Sequence, residues 1–259
     1  MGRAKQKKQL FFATHPICFN CGAGATTIDH VPSRECFIGR VGPEGFEFPA
    51  CGDCNKKVAQ IEQAVALLIR LADFSENLDE GQFAKLVRGV KNNTPELLPS
   101  DFSTLREKRN WLKNIGLEPR RGETIADVPV MKMRPGWRDA FHAFARKLLA
   151  ALYYKEMGRL LPNDSLMRTI FTQFVDGQGR ELVEKLLTML PEIRVGERRN
   201  TSIGSQFTYI FGKKDEAGLF VFCAQFSRAW FIVGVAARPS DVGDRQGYIS
   251  HAENLALTY

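Results

Sequence analysis

Two stretches, Cys18-Phe19-Asn20-Cys21-Gly22 and Cys51-Gly52-Asp53-Cys54-Asn55, decide how this chain is read. A Cys-x-x-Cys turn sets two thiolates on one side of a tight knuckle, within reach of one ion. Two knuckles complete a tetrahedral S₄ shell, which suits zinc. The insert between them, residues 22–50, is longer than in a simple zinc ribbon and has room for a hairpin of its own. Three other readings compete: a redox dithiol, disulfides, and buried free thiols. A redox motif stands at a helix start after a strand, and one copy suffices. Disulfides are disfavoured in a cytosolic chain. Structural Zn²⁺ on Cys18, Cys21, Cys51 and Cys54 is therefore the expectation. Cys36 and Cys223 read as small apolar residues, although Cys36 is near enough in sequence to replace a ligand.

Between the knuckles runs Thr26-Thr27-Ile28-Asp29-His30-Val31-Pro32. In a regular strand Asp29 and His30 face opposite sides. At a strand end that bends at Pro32, both are able to line one cleft. Asn55 follows the last cysteine, at the expected start of a helix. Its amide oxygen and the Asp29 carboxylate are hard donors of the kind Mg²⁺ takes.

The order Cys-x-x-Cys, Asp-His-Val-Pro, Cys-x-x-Cys-Asn resembles the HNH, or ββα-metal, endonucleases of the zinc-knuckle type. The resemblance covers about residues 15–60. It implies that His30 is the general base that activates water. It also implies that Asp29 and Asn55 hold one catalytic Mg²⁺ or Mn²⁺ ion, and that the four cysteines hold structural zinc. The substrate it implies is nucleic acid, DNA rather than RNA, in a bacterial or phage setting. The chemistry agrees: a neutral imidazole takes a proton from water near neutral pH, and a cation neutralises charge developing on a phosphate. One departure stands out. The family usually carries a middle Asn or His on the second strand, and residues 31–50 contain neither; Phe46, Glu47 and Phe48 occupy that neighbourhood. The rival reading is a catalytically inactive zinc-binding module that contacts nucleic acid or protein.

The rest of the chain is ordinary by comparison. It has 259 residues, a formal net charge of +7, 44% hydrophobic and 25% charged residues. That composition excludes disorder throughout and leaves ample chain for a core. No apolar run approaches the roughly 20 residues of a membrane helix, and Met1–Leu10 lacks the apolar segment of a secretory signal. The expectation is a cytoplasmic protein without a membrane partner. A protein partner or homo-oligomer stays open. The modest basic excess permits nucleic acid without identifying it.

The expected fold class is α+β. A zinc-stabilised ββα module (1–60) precedes an accessory domain (61–259), helical over 61–190 and antiparallel over 192–238. Helical spacing is plain in Val58–Ala72, after Asp79, after Asp101, and from Trp137 to Arg159. Shorter helices are expected near 164–175 and 179–189. Strands are expected at Gln206–Phe211, Leu219–Phe226 and Trp230–Ala236, and residues 238–259 read as irregular. Arg34, Arg40, Lys56 and Lys57 surround the site and suit phosphate contact or plain solvation, while Arg3, Lys5, Lys7 and Lys8 read as a basic arm on DNA or as a disordered terminus. His15 is a competing zinc ligand or a surface residue, His142 reads as structural, and His251 has no partner motif.

Overall fold

The computed structural model describes residues 3–71, 79–114, 116–119, 121–128, 130–173, 193–195, 206–214, 218–227 and 230–257. Among them the chain is mixed α and β. The basic N-terminal arm is helical, α1 (Arg3–Thr14), and largely exposed. Then come β1 (Thr27–His30) and β2 (Glu47–Ala50), an antiparallel pair with Asp29 opposite Phe48 and His30 opposite Glu47. Helix α2 (Gly52–Lys57) follows at once, its first turn capped by the Cys51 thiol, which accepts from the Cys54 amide.

Three helices continue: α3 (Ala59–Leu71), α4 (Glu80–Asn93) and α5 (Leu105–Asn114). Asp79 caps α4 by accepting from the Gln82 amide, as its sequence position suggests. The longest helix, α6 (Trp137–Met157), ends on Gly158 at φ 66°. That left-handed turn costs glycine little and other residues more.

A six-stranded antiparallel sheet completes the fold. Its strands are β3 (Leu166–Gln173), β4 (Ile193–Val195), β5 (Phe207–Lys214), β6 (Leu219–Phe226), β7 (Trp230–Ala237) and β8 (Ile249–Ser250), in spatial order β4-β5-β6-β7-β3-β8. The meander β5-β6-β7 matches the sequence expectation. The segment expected as a helix near 164–175 does not: its described part forms β3 over Leu166–Gln173. Met167 and Thr169 are buried while Arg168 is exposed, so the segment alternates as a half-buried strand does. Register with β7 is continuous from Leu166–Ala237 to Gln173–Trp230. The C-terminal region is not irregular either. It holds β8 and a helix, α7 (His251–Ala256), with a reciprocal capping box between Ser250 and Glu253. The helix expected at 179–189 lies outside the described residues.

Helix α6 lies against the sheet through aromatic contacts. Phe141 stacks on Phe171 at 4.5 Å, Phe144 meets Phe226, and Tyr153 meets Phe220. The hairpin reaches the same sheet: Phe46 packs edge-on against Phe207 and Tyr209. One continuous set of buried residues thus runs from Cys18 through α3 and α6 to Ala236.

At the sheet centre, Gly234 faces Phe222 across the β6–β7 register. A Cβ on Gly234 would lie 2.2 Å from Cε1 of Phe222. Overpacking of this kind costs about 1–3 kcal/mol. Gly234→Ala is expected to lower unfolding stability by that amount in denaturant titration, whereas Gly24→Ala, with nothing within 4 Å of its Cβ, is expected to leave it nearly unchanged.

Candidate functional site

The two knuckles converge. The Sγ atoms of Cys18, Cys21, Cys51 and Cys54 all lie within 4.8 Å of one another, close enough to share a metal ion. Cys21 Sγ and Cys51 Sγ are 3.6 Å apart. A tetrahedron with Zn–S near 2.3 Å has edges of about 3.8 Å. Four thiols so close cannot all ionise without a cation between them. The Cys18 thiol is pulled down to about 4, chiefly by its hydrogen bond with Cys54, and the Cys54 thiol is pushed up by the same bond. The donor chemistry fits a soft or borderline ion such as zinc.

No other candidate from the sequence competes for this place. His15 Nδ1 lies 3.3 Å from the Tyr154 hydroxyl. Cys36 is buried away from the cluster, and burial pushes its thiol well up. Burial likewise pushes Cys223 to about 12. Both behave as the small apolar residues the sequence suggests.

Strand β1 distributes the other candidates over its two faces. Thr27 and Asp29 share one face, and His30 takes the other. Asn55, on α2, donates from Nδ2 to Thr27 Oγ1 at 3.0 Å. That bond draws α2 alongside the Asp29 face and leaves the amide oxygen of Asn55 as an acceptor.

Asp29 and His30 do not line one cleft. Asp29 is buried, and its Oδ2 lies 2.7 Å from Nζ of Lys147 on α6. The same ammonium lies 2.8 Å from Oε2 of Glu62 on α3. The bend at Pro32 does not overcome strand alternation, because the ion pair holds Asp29 inward. Burial raises Asp29, against the pull of Lys147. Glu62 is pushed up to about 7 by burial, Lys147 opposing and the Asp29 charge adding to the rise. One ammonium thus serves two carboxylates, and burial holds both above the ordinary carboxylate range.

His30 opens instead onto a cleft of about 100 Å³ that it lines with Pro32, Arg34, Phe46 and Glu47. Burial, then the Arg34 charge, lowers the imidazole below its ordinary value, with Glu47 and Asp29 opposing. It is therefore neutral at pH 7 and able to accept a proton. Arg34 pairs with Glu47 at 3.6 Å, and Arg40 pairs with Glu35 at 3.4 Å. Phe46 and Phe48 are core anchors, while Glu47 between them is exposed. Lys57 is committed elsewhere: its Nζ donates to the carbonyls of Asn254 and Leu255 on α7.

No family model, curated protein or solved structure matches the chain. The geometry of the site therefore stands without a relative beside it.

Sequence reasoning missed Glu62 and Lys147, and found no partner for His251. Lys147 falls on the apolar stripe of Ala140, Phe144, Leu148 and Ala151, and Glu62 among Ile61, Val65 and Ile69. Two opposite charges on the apolar faces of two helices were the available signal. His251 is fully buried and its Nε2 lies 2.8 Å from the Asn20 carbonyl; it steadies the first knuckle.

Two outcomes are expected. Purified protein carries about one zinc per chain by elemental analysis, and Cys54→Ser reduces that content and lowers Tm. The second concerns pH. Glu62 holds its proton to higher pH in the folded chain, about 7 against 4.5. Between these values the native state binds more protons than the unfolded one, so stability falls as pH rises. Glu62→Gln is expected to remove its share of that decline, measured as chemical-denaturation stability across the interval from 4.5 to about 7.

Proposed function

We propose that the chain is an endonuclease of the HNH type, hydrolysing phosphodiester bonds in nucleic acid, DNA rather than RNA. One observation carries the reading. A hairpin and helix clasped by four cysteines present a neutral His30 at an open cleft and bring Asn55 alongside the Asp29 face of the same strand. In this reading the knuckles hold structural zinc and fix the hairpin against the helix. His30 takes the proton from an attacking water. Arg34, exposed beside it on the cleft, draws the phosphate in by charge.

Asp29 and Asn55 offer one carboxylate and one amide oxygen, a donor set that suits Mg²⁺ or Mn²⁺ in kind. Such an ion, when bound, supplies positive charge to the phosphate oxygens. Lys147 already neutralises Asp29, so an ion there shares that carboxylate with an ammonium or displaces it.

This ion pair also favours a second reading. With Asp29 satisfied by Lys147, and His30 on the other face of the strand, the module is a zinc-stabilised platform that binds nucleic acid or protein without cutting it.

Plasmid nicking separates the two. With Mg²⁺ or Mn²⁺ added, wild-type protein is expected to cleave and His30→Ala to lose at least about 100-fold, the lower range for a general base. The acid limb of the rate profile is expected below pH 6.5, because His30 is lowered from that value. Cleavage that survives the substitution removes His30 from the mechanism. A wild-type protein that binds DNA yet cuts it with neither cation leaves the platform reading.

A further inference from the structure

A larger cleft, about 500 Å³, lies between α6, β3 and the segment leading into β8. Arg138, His142 and Arg146 enter it from α6 at four-residue steps, which places them on one face of the helix. Arg168 enters from β3, its guanidinium 5.7 Å above the Tyr248 ring. Three guanidiniums and an imidazole therefore line one concavity, and among the described residues no Asp or Glu lines it.

The groups at the inner end are held in place rather than loose. Arg146 Nε donates to Asn254 Oδ1 at 2.7 Å. His142 Nδ1 lies 2.8 Å from Thr169 Oγ1. Arg138 and Arg168 are exposed, and among the described residues neither has a side-chain hydrogen bond or a carboxylate partner. Concentrating like charges in a concave, partly desolvated place is unfavourable unless an anion answers them. The imidazole of His142 registers this field: burial lowers it first, then Arg146 and Arg138, while Asp139 on the same helix opposes.

We propose that this cleft binds nucleotide phosphate groups, its guanidiniums taking the phosphates and the Arg168–Tyr248 pair offering a planar surface to a base. Arginine suits such a site, because its planar fork matches phosphate oxygens and stacks on rings. The cleft is within the size range of small-ligand sites, and base stacking on an aromatic ring is tolerant of sequence. Position supports a link with the hairpin module. Arg146 adjoins Lys147, which holds Asp29. Asn254, which holds Arg146, also accepts through its carbonyl from Lys57 of α2. Resting on the nuclease reading, the cleft is a second grip on the substrate strand.

The test is binding, measured on the full chain carrying His30→Ala and without added Mg²⁺ or Mn²⁺. Fluorescence anisotropy of a labelled single strand of about 20 nucleotides is followed as salt is raised. Arg138→Ala with Arg168→Ala is expected to weaken binding at least about 10-fold and to flatten the salt slope by about one to two. Lys85→Ala with Lys91→Ala, on α4 away from the cleft, is expected to change affinity less than about 2-fold. Unchanged melting temperatures exclude misfolding as the cause. Calorimetric titration with dAMP and with inorganic phosphate separates the sources. Saturable binding of dAMP that the arginine pair abolishes, without strand binding, supports the site with a free nucleotide as its ligand. Equal affinities of the arginine pair and wild type for strand and dAMP overturn it, as does binding of none of the three probes. Strand binding that depends on the arginines in a protein that never cuts sinks the nuclease reading and leaves the cleft standing.

Discussion

One ammonium lies between two buried carboxylates, and three structural layers meet at it. Lys147 comes from α6, Asp29 from the hairpin beside the cysteine cluster, and Glu62 from α3. An ion taken out of water costs several kcal/mol even after relaxation, and breaking a buried pair by removing one partner costs about 3–5 kcal/mol. Lys147 therefore cannot be withdrawn without stranding charge in the core. The contact is directional where the surrounding apolar packing is not, so it sets how the hairpin sits on the helix.

The same helix has two other roles. Its aromatic residues seat the sheet, and its arginines line the cationic cleft. Successive turns of one 21-residue helix thus fix the core, hold Asp29 and gather positive charge. A change in the tilt of α6 would disturb all three together. The hairpin is anchored independently through Phe46, whose ring meets β5. This packing accounts for an aromatic at position 46, which joins hairpin to sheet.

Legibility in the sequence followed the range of the interactions. The cysteine knuckles, the β5-β6-β7 meander and the long helix are readable because spacing and short connections encode them locally. Strand β3 is not, because its partner β7 lies far along the chain and its eight residues carry too little periodicity to distinguish strand from helix. The pattern Ser-x-x-Glu at Ser250 is a local signal for α7, set in a segment that otherwise reads as irregular. Within the site, strand alternation already places Asp29 and His30 on opposite faces, but whether the bend at Pro32 overrides it is not legible. The pairing with Lys147, 118 residues after Asp29 (147 minus 29), holds Asp29 inward, and no local pattern links the two.

Helix α7 closes the fold in an unusual sense. His251 contacts the carbonyl of Asn20, a neighbour in structure 231 positions away in sequence, and Lys57 reaches the carbonyls at the other end of the same helix. During synthesis the first knuckle waits for the 231 positions between Asn20 and His251 before this support arrives. Metal capture has no such delay, since all four thiols are out once Cys54 is. The cysteine cluster is then complete long before the helix that supports it is made.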